Sequence, residues 1–296
     1  MITPPLLNIN DTIGIVAPAG RIPEKKITRA VKIFNDWGLK VELGRNIFKR
    51  KNTFAGNDKQ RKDDFQNVID REDIKAVICA RGGYGALRII NKIDFKKFRQ
   101  SPKWIVGFSD ITVIHSLLNR HCHLQSIHGI MPVNFKANYK YADSINSLKD
   151  ILFGKNCDYA IQFHPSNFDG DEEAELVGGN LSILYSLRGT PYDIDTDGKI
   201  LIIEDIDEYL YHLDRIMMNF KIGGKLDRLK GLVIGSMSEM NDNTIPFGKT
   251  ANEIIAEHCK AYTFPRCFNF PIGHTAHNLA IRLGSRVRFQ IENQKG

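Results

Sequence analysis

No stretch of this chain approaches the roughly 18 consecutive apolar residues that a membrane-spanning helix needs, which excludes an integral membrane protein of that kind. The opening residues, Met1-Ile2-Thr3-Pro4-Pro5-Leu6, lack the basic stretch followed by an apolar segment that marks a secretory signal, so the expected compartment is the cytoplasm. Cysteine is scarce: Cys79, Cys122, Cys157, Cys259 and Cys267 are odd in number and show no CxxC spacing. That argues against a disulfide framework and a structural zinc site, and reduced thiols are expected. A concentrated basic tract is missing too. The formal charge is +7, yet its densest cluster is the triplet Lys49-Arg50-Lys51, so no nucleic-acid partner is expected. There is no internal repeat and no low-complexity segment.

What is present reads as a globular enzyme or binding protein. Apolar residues make up 42% and charged residues 25% of 296 positions, a length that accommodates two domains. Asp11 to Pro18 reads as a buried first strand, and a Pro/Gly turn leads to a helix from Pro23 to Trp37 with Ile27, Val31 and Phe34 on one face. Gly38 ends that helix, and Leu39 to Leu43 is the next strand. Lys75 to Ala80 and Lys103 to Gly107 are further short apolar runs, each followed by a glycine-containing turn and a helical stretch. The alternation predicts an α/β fold with a parallel sheet. Residues 156–174, with Pro165, Gly170 and a run of acids, read as a linker. Beyond it, Lys199 to Ile203 and Gly231 to Gly235 are strand-like, so the second half is also mixed α/β.

Four local features could carry chemistry. In Ile105-Val106-Gly107-Phe108-Ser109-Asp110 a strand runs into a serine just before a helical stretch, Ile111 to Asn119. A serine on such a turn is placed like a nucleophile, with helix-start N–H groups able to stabilise an oxyanion. The competing reading makes Ser109 a helix N-cap, although Thr112 leaves no capping box. Serine needs a base oriented by a carboxylate. Glu204, at the tip of the run Leu201-Ile202-Ile203, suits the carboxylate, whereas Asp205, Asp207 and Glu208 resemble solvated strand-end or capping acids. His274, in Phe270-Pro271-Ile272-Gly273-His274, suits the base, with His277 as competitor. Read as an HxxH metal site, the pair lacks the glutamate and one-turn spacing of a zincin helix, and no metal is expected. Finally, Ala80-Arg81-Gly82-Gly83-Tyr84-Gly85 could offer N–H donors to an oxyanion or a phosphate, though it is not a GxGxxG fingerprint. Arg81 adds a planar cation suited to a substrate carboxylate.

Taken together, Gly14 to Gly20, Ala80 to Gly85, Gly107 to Asp110, Leu176-Val177-Gly178-Gly179-Asn180-Leu181, Ile203-Glu204-Asp205 and Ile272-Gly273-His274 resemble, in order and wording, the LD-carboxypeptidases. This serine peptidase family includes the murein tetrapeptide carboxypeptidases and the microcin immunity peptidases. The resemblance implies a Rossmann-like parallel-sheet N-terminal domain (residues 1–155) bearing the nucleophile. It also implies a smaller mixed α/β C-terminal domain (175–296) bearing glutamate and histidine, with the active site at their interface. By that likeness Ser109 is the nucleophile, His274 the general base and Glu204 its orienting carboxylate. The N–H of Asp110, with one from Arg81-Gly82-Gly83, forms the oxyanion hole, and Arg81 is the candidate for the substrate carboxylate. No cofactor is implied, and a homodimer is. The implied substrate is a muropeptide tetrapeptide that loses its C-terminal D-alanine; some relatives instead cleave a peptide-nucleotide antibiotic. A non-catalytic α/β binding protein that uses the glycine-rich turn is the reading from another class. After His128-Gly129 the chain continues Ile130-Met131-Pro132, where the family likeness leads one to expect proline directly after glycine. That departure, with the Asn134 to Tyr141 segment, bears on substrate choice.

Overall fold

The structure, a computed structural model, describes residues 1–136, 139–155 and 157–292. Ala137 and Asn138 of the Asn134 to Tyr141 segment, Asn156 at the start of the expected linker, and residues 293–296 lie outside the described residues. The chain divides into two compact units, residues 1–157 with 276–283 and residues 158–275 with 284–296.

In the first unit the order is β1 (Thr12–Val16), α1 (Glu24–Asp36), β2 (Lys40–Leu43), α2 (Asp58–Ile69), β3 (Ile74–Cys79), α3 (Lys96–Gln100), β4 (Trp104–Gly107), α4 (Thr112–Leu117), β5 (Ser126–His128) and α5 (Ala142–Leu152). The strands form a sheet in the order β2-β1-β3-β4-β5, all parallel. This is a doubly wound order whose direction reverses between β1 and β3, where open α/β sheets place their ligands at the carboxyl ends of the strands. Side-chain alternation divides the sheet into two faces. Ile13, Ile15, Ala76, Ile78, Trp104 and Val106 pack into one core with Ile27, Ala30 and Phe34 of α1 and Leu148, Ile151 and Leu152 of α5. Behind them Gly14 faces Val68 of α2. The apolar periodicity of α1, with no β-branched crowding on its buried stripe beyond Ile27, makes it a helix that buries one face.

The second unit comprises β6 (Gly170–Asn180), α6 (Leu181–Ser186), β7 (Ile200–Ile206), α7 (Leu210–Ile222), β8 (Gly231–Ser238), α8 (Ala251–Cys259) and β9 (Arg266–Cys267). Its strands run parallel in the order β6-β7-β8-β9. Leu201, Ile203, Leu232 and Ile234 form its core with Leu213, Ile216 and Phe220 of α7 and Ile254 and Ile255 of α8.

The last two strands close one edge of each sheet. β10 (Ile281–Leu283) pairs antiparallel with β5 in the first unit, and β11 (Arg286–Ile291) pairs antiparallel with β6 in the second. Residues 276–283 thus leave the second unit, a crossing that a continuous 175–296 boundary does not contain. The acidic run read as linker is in part strand. β6 begins at Gly170, and Asp171 and Glu173 face Arg288 and Arg286 across the sheet at 2.6 and 2.5 Å. Opposite charges on paired strands favour that register, but the partners are more than a hundred residues apart in sequence. The five cysteines are free. Among the described residues, no helix is long and apolar enough to cross a membrane.

Candidate active site

The surroundings of Ser109, the expected nucleophile, are built by main chain. β4 ends at Gly107, and Ser109 follows with φ at +62°, a left-handed conformation that costs a non-glycine residue of order 1–3 kcal/mol and needs support from its surroundings. The residue opens a short 3₁₀ turn, Ser109–Ile111, that runs into α4. Neither this turn nor α4 has a side-chain cap, which removes the reading of Ser109 as an N-cap. The support for the strained turn comes from the segment after β3. Gly82 lies so close that a methyl group in place of its hydrogen would stand 2.9 Å from Ser109 Oγ and 3.4 Å from the Asp110 nitrogen. Only glycine fits that approach. The structure thereby brings Ser109, Asp110 and the Gly82-Gly83 turn together, as the oxyanion reading requires.

Asp110 contributes a second link. Its side chain is 1% exposed, and the Ala86 N–H donates to its Oδ2 at 2.8 Å, tying the end of the glycine-rich turn to the residue after the serine. Burial pushes its carboxyl up to about 6, against the lowering effect of the Ala86 N–H and the Arg61 charge. Beneath the turn, His115 holds the Gly107 carbonyl at 2.9 Å through Nε2, and burial pushes its imidazole down to about 4, so it stays neutral. Arg81 is exposed and donates to the Arg21 carbonyl at 3.1 Å. Ile130 and Met131, where the family wording departs, are buried, and the Val133 N–H donates to the Ala80 carbonyl at the root of the glycine-rich turn.

The second unit holds the other pair. Glu204 is 0% exposed at the carboxyl end of β7, and its Oε2 meets His274 Nδ1 at 2.7 Å. The loop carrying His274 is fixed to β8: Phe270 N–H donates to the Ile234 carbonyl, and Ser236 N–H to the Ile272 carbonyl. Gly273 then turns with φ at +110°, and any side chain there would collide with Ser236 Oγ and crowd Glu204. This glycine is what lets the imidazole sit on the carboxylate. Burial lowers the His274 pKa, but the Glu204 hydrogen bond and the charges of Glu204, Asp205 and Glu239 outweigh it and hold the imidazolium above its ordinary range.

Asp205 differs from a solvated strand-end acid. It is 1% exposed and accepts from the Asn180 side chain and from the Ser182 N–H and hydroxyl, which fastens the start of α6 to β7. Burial, the largest cause, and the neighbouring Glu204 charge push it up to about 6. His277 falls in the first unit, half-exposed, 3.8 Å from Asp143. Among the described residues, no group of three or more His, Cys, Asp and Glu side chains is gathered to hold a metal ion. The residue that sequence reasoning misses is Arg61, 1% exposed on α2 and donating to the Pro18 and Gly85 carbonyls. Nothing in the charged stretch Asp58 to Asp64 distinguishes it from its solvated neighbours.

Comparison with known proteins identifies the family. The model of the LD-carboxypeptidase N-terminal domain matches residues 13–129, and that of the LD-carboxypeptidase C-terminal domain matches residues 173–289. A probable murein peptide carboxypeptidase of Bacillus subtilis is 33% identical, over 96% of this chain and 90% of that one. A murein tetrapeptide carboxypeptidase of Pseudomonas aeruginosa is 29% identical, over 95% and 96%. Among solved structures, the muramoyltetrapeptide carboxypeptidase of Oxalobacter formigenes superposes with a TM-score of 0.85 at 29% identity, covering 95% of each chain. The chain belongs to the LD-carboxypeptidase family.

Proposed function

We propose that this member of the LD-carboxypeptidase family, a serine-type carboxypeptidase, hydrolyses the last bond of muropeptide tetrapeptides and releases the C-terminal D-alanine. The observation that carries the reading is Ser109, half-buried at φ +62° with Gly82 packed against its side chain, a costly backbone state on a strand-to-helix turn of the kind that holds a nucleophile.

Ser109 Oγ attacks the carbonyl carbon of the scissile bond while His274 Nε2 takes its proton. Glu204, on Nδ1, fixes the tautomer that leaves Nε2 unprotonated and then stabilises the imidazolium. The oxyanion of the tetrahedral intermediate accepts from the Asp110 N–H and an N–H of the Gly82-Gly83 turn. Collapse breaks the C–N bond, and His274 returns the proton to the departing amine of D-alanine. A water then attacks the acyl-serine with His274 again as base, restoring the Ser109 hydroxyl. Arg81, with guanidinium N–H groups beyond the one on Arg21, is the cation for the α-carboxylate that marks a carboxypeptidase substrate. The enzyme works in the cytoplasm as a homodimer in this reading, and light scattering on the purified protein tests the dimer.

The deciding experiment incubates the protein with a murein tetrapeptide ending in D-alanine, with and without chelator, and follows D-alanine by mass spectrometry. Release that chelator leaves intact and Ser109→Ala reduces by at least about a thousandfold supports the reading. Normal turnover by Ser109→Ala overturns it, and absence of release by the wild type transfers the same Ser109 test to a peptide-nucleotide substrate.

A further inference from the structure

The loops that shape the nucleophile's surroundings have no regular hydrogen-bond ladder of their own, yet they are held at several points. After β1, the Gly20 N–H donates to the Gly82 carbonyl at 2.9 Å. After β3, the Ala86 N–H donates to Asp110, and Gly82 abuts Ser109. One buried side chain joins the two loops from behind. Arg61 Nη1 donates to the Pro18 carbonyl at 2.6 Å, in the loop after β1, and to the Gly85 carbonyl at 2.8 Å, in the turn after β3. Its Nη2 is anchored by Asp58 Oδ1 at 2.5 Å, and its guanidinium carbon lies 4.9 Å from the centre of the Phe54 ring. Burial lowers its pKa, while the Asp58 and Asp110 charges support the cation.

We propose that Arg61 is a positioning residue for the acyl-transfer step: by holding the Pro18 and Gly85 carbonyls with one guanidinium, it sets the Gly82-Gly83 turn at the distance from Ser109 that the oxyanion requires. The proposal rests on the reading of Ser109 as nucleophile. Enclosing the Arg61 cation carries a desolvation cost that its bonds to the Pro18 and Gly85 carbonyls and to Asp58 offset. Lysine is no substitute, because a point-like ammonium lacks the rigid planar fork that holds two carbonyls and a carboxylate at once. The interaction is with main chain, so its loss displaces donors and leaves all the reacting groups in place. A displacement near 1 Å costs about a hundredfold in rate.

The test compares Arg61→Lys, Arg61→Ala and Ser109→Ala, each checked for folding by circular dichroism. The expected result is a fall in kcat of about tenfold to a hundredfold for both Arg61 variants, with KM within about threefold of wild type. Affinity for a phosphonate analogue of the tetrahedral intermediate falls in step, and added guanidinium restores part of the Arg61→Ala rate. A purely structural role moves neither the analogue affinity nor the guanidinium response. Should Arg61→Ala fail to fold, Asp58→Asn keeps Arg61 and removes its anchor, and it lowers kcat in the same direction by a smaller factor. Arg88→Ala, which loses the outer contact to Asp58 and the outer cation over the Phe54 ring but leaves every Arg61 bond to the Pro18 and Gly85 carbonyls, keeps the wild-type kcat. Inactive Ser109→Ala together with Arg61→Lys or Asp58→Asn at wild-type kcat overturns the positioning role alone; active Ser109→Ala overturns the reading beneath it.

Discussion

Residues 1–157 with 276–283 carry 28 Lys and Arg against 14 Asp and Glu, a formal +14, whereas 158–275 with 284–296 carry 13 against 20, a formal −7. The basic unit presents Ser109, and the acidic unit presents Glu204 and His274. They prepare their residues by different physics. Ser109 is set by backbone conformation, through a positive φ and a glycine at contact distance. His274 is prepared by charge: a fully buried carboxylate on Nδ1, with Asp205 and Glu239 adding to the same field. A hydroxyl gains little from a nearby anion, because its task is to be exposed beside donors. An imidazole that must accept a proton and then hold it gains directly from one.

That contrast can be broken at several points, beginning where the loss is largest. Glu204→Gln keeps the shape but removes the charge and the tautomer control, so kcat falls by about 10⁴-fold while the fold persists, as steady-state kinetics and circular dichroism would register. Gly82→Ala places a methyl against Ser109 Oγ and, in the proposed mechanism, displaces the oxyanion donors. It lowers kcat by about a hundred- to a thousandfold at nearly constant KM, and an unchanged kcat would separate the turn from the chemistry. A smaller effect belongs to pH. His274 must be neutral to act as base, and its pKa is raised, so kcat/KM climbs with pH through a limb above the ordinary 6.5. Asp205→Asn removes part of the field that raises it, and the limb moves to lower pH, read from a pH profile. The faintest effect is one of salt. If the +14 unit steers carboxylate-bearing peptides, kcat/KM falls by about two- to threefold between low and moderate ionic strength, with kcat unchanged.

The sequence displays the central strands well because each is a short, nearly unbroken apolar run: the strand expected over 11–18 is Thr12–Val16, and that over 103–107 is Trp104–Gly107. The helix expected over 23–37 is Glu24–Asp36. The elbow at Ser109 is legible from strand, glycine and serine in succession. The Glu204–His274 bond spans 70 residues and is not legible from local pattern; only the wording shared with a family pairs the two residues. Features that depend on partners distant in sequence are hidden. Asp171 and Glu173 look like solvated linker until Arg288 and Arg286 arrive diagonally across the strand pair, and Asp205 looks exposed until α6 starts upon it. Arg61 is the extreme case, a cation in a charged helix whose acceptors are two main-chain carbonyls, which no side-chain code announces.

The strand β10 carries a consequence for how the molecule is made. Its pairing partner β5 is synthesised roughly 150 residues earlier, so at about 5–20 residues per second the first sheet waits some 8–30 seconds on the ribosome with that edge uncovered. An open edge is a template for strands of other chains, and β5 is only three residues long, Ser126–His128. Its brevity limits what a foreign strand can grip during the interval, so the nascent chain is guarded by the shortness of the edge until β10 arrives.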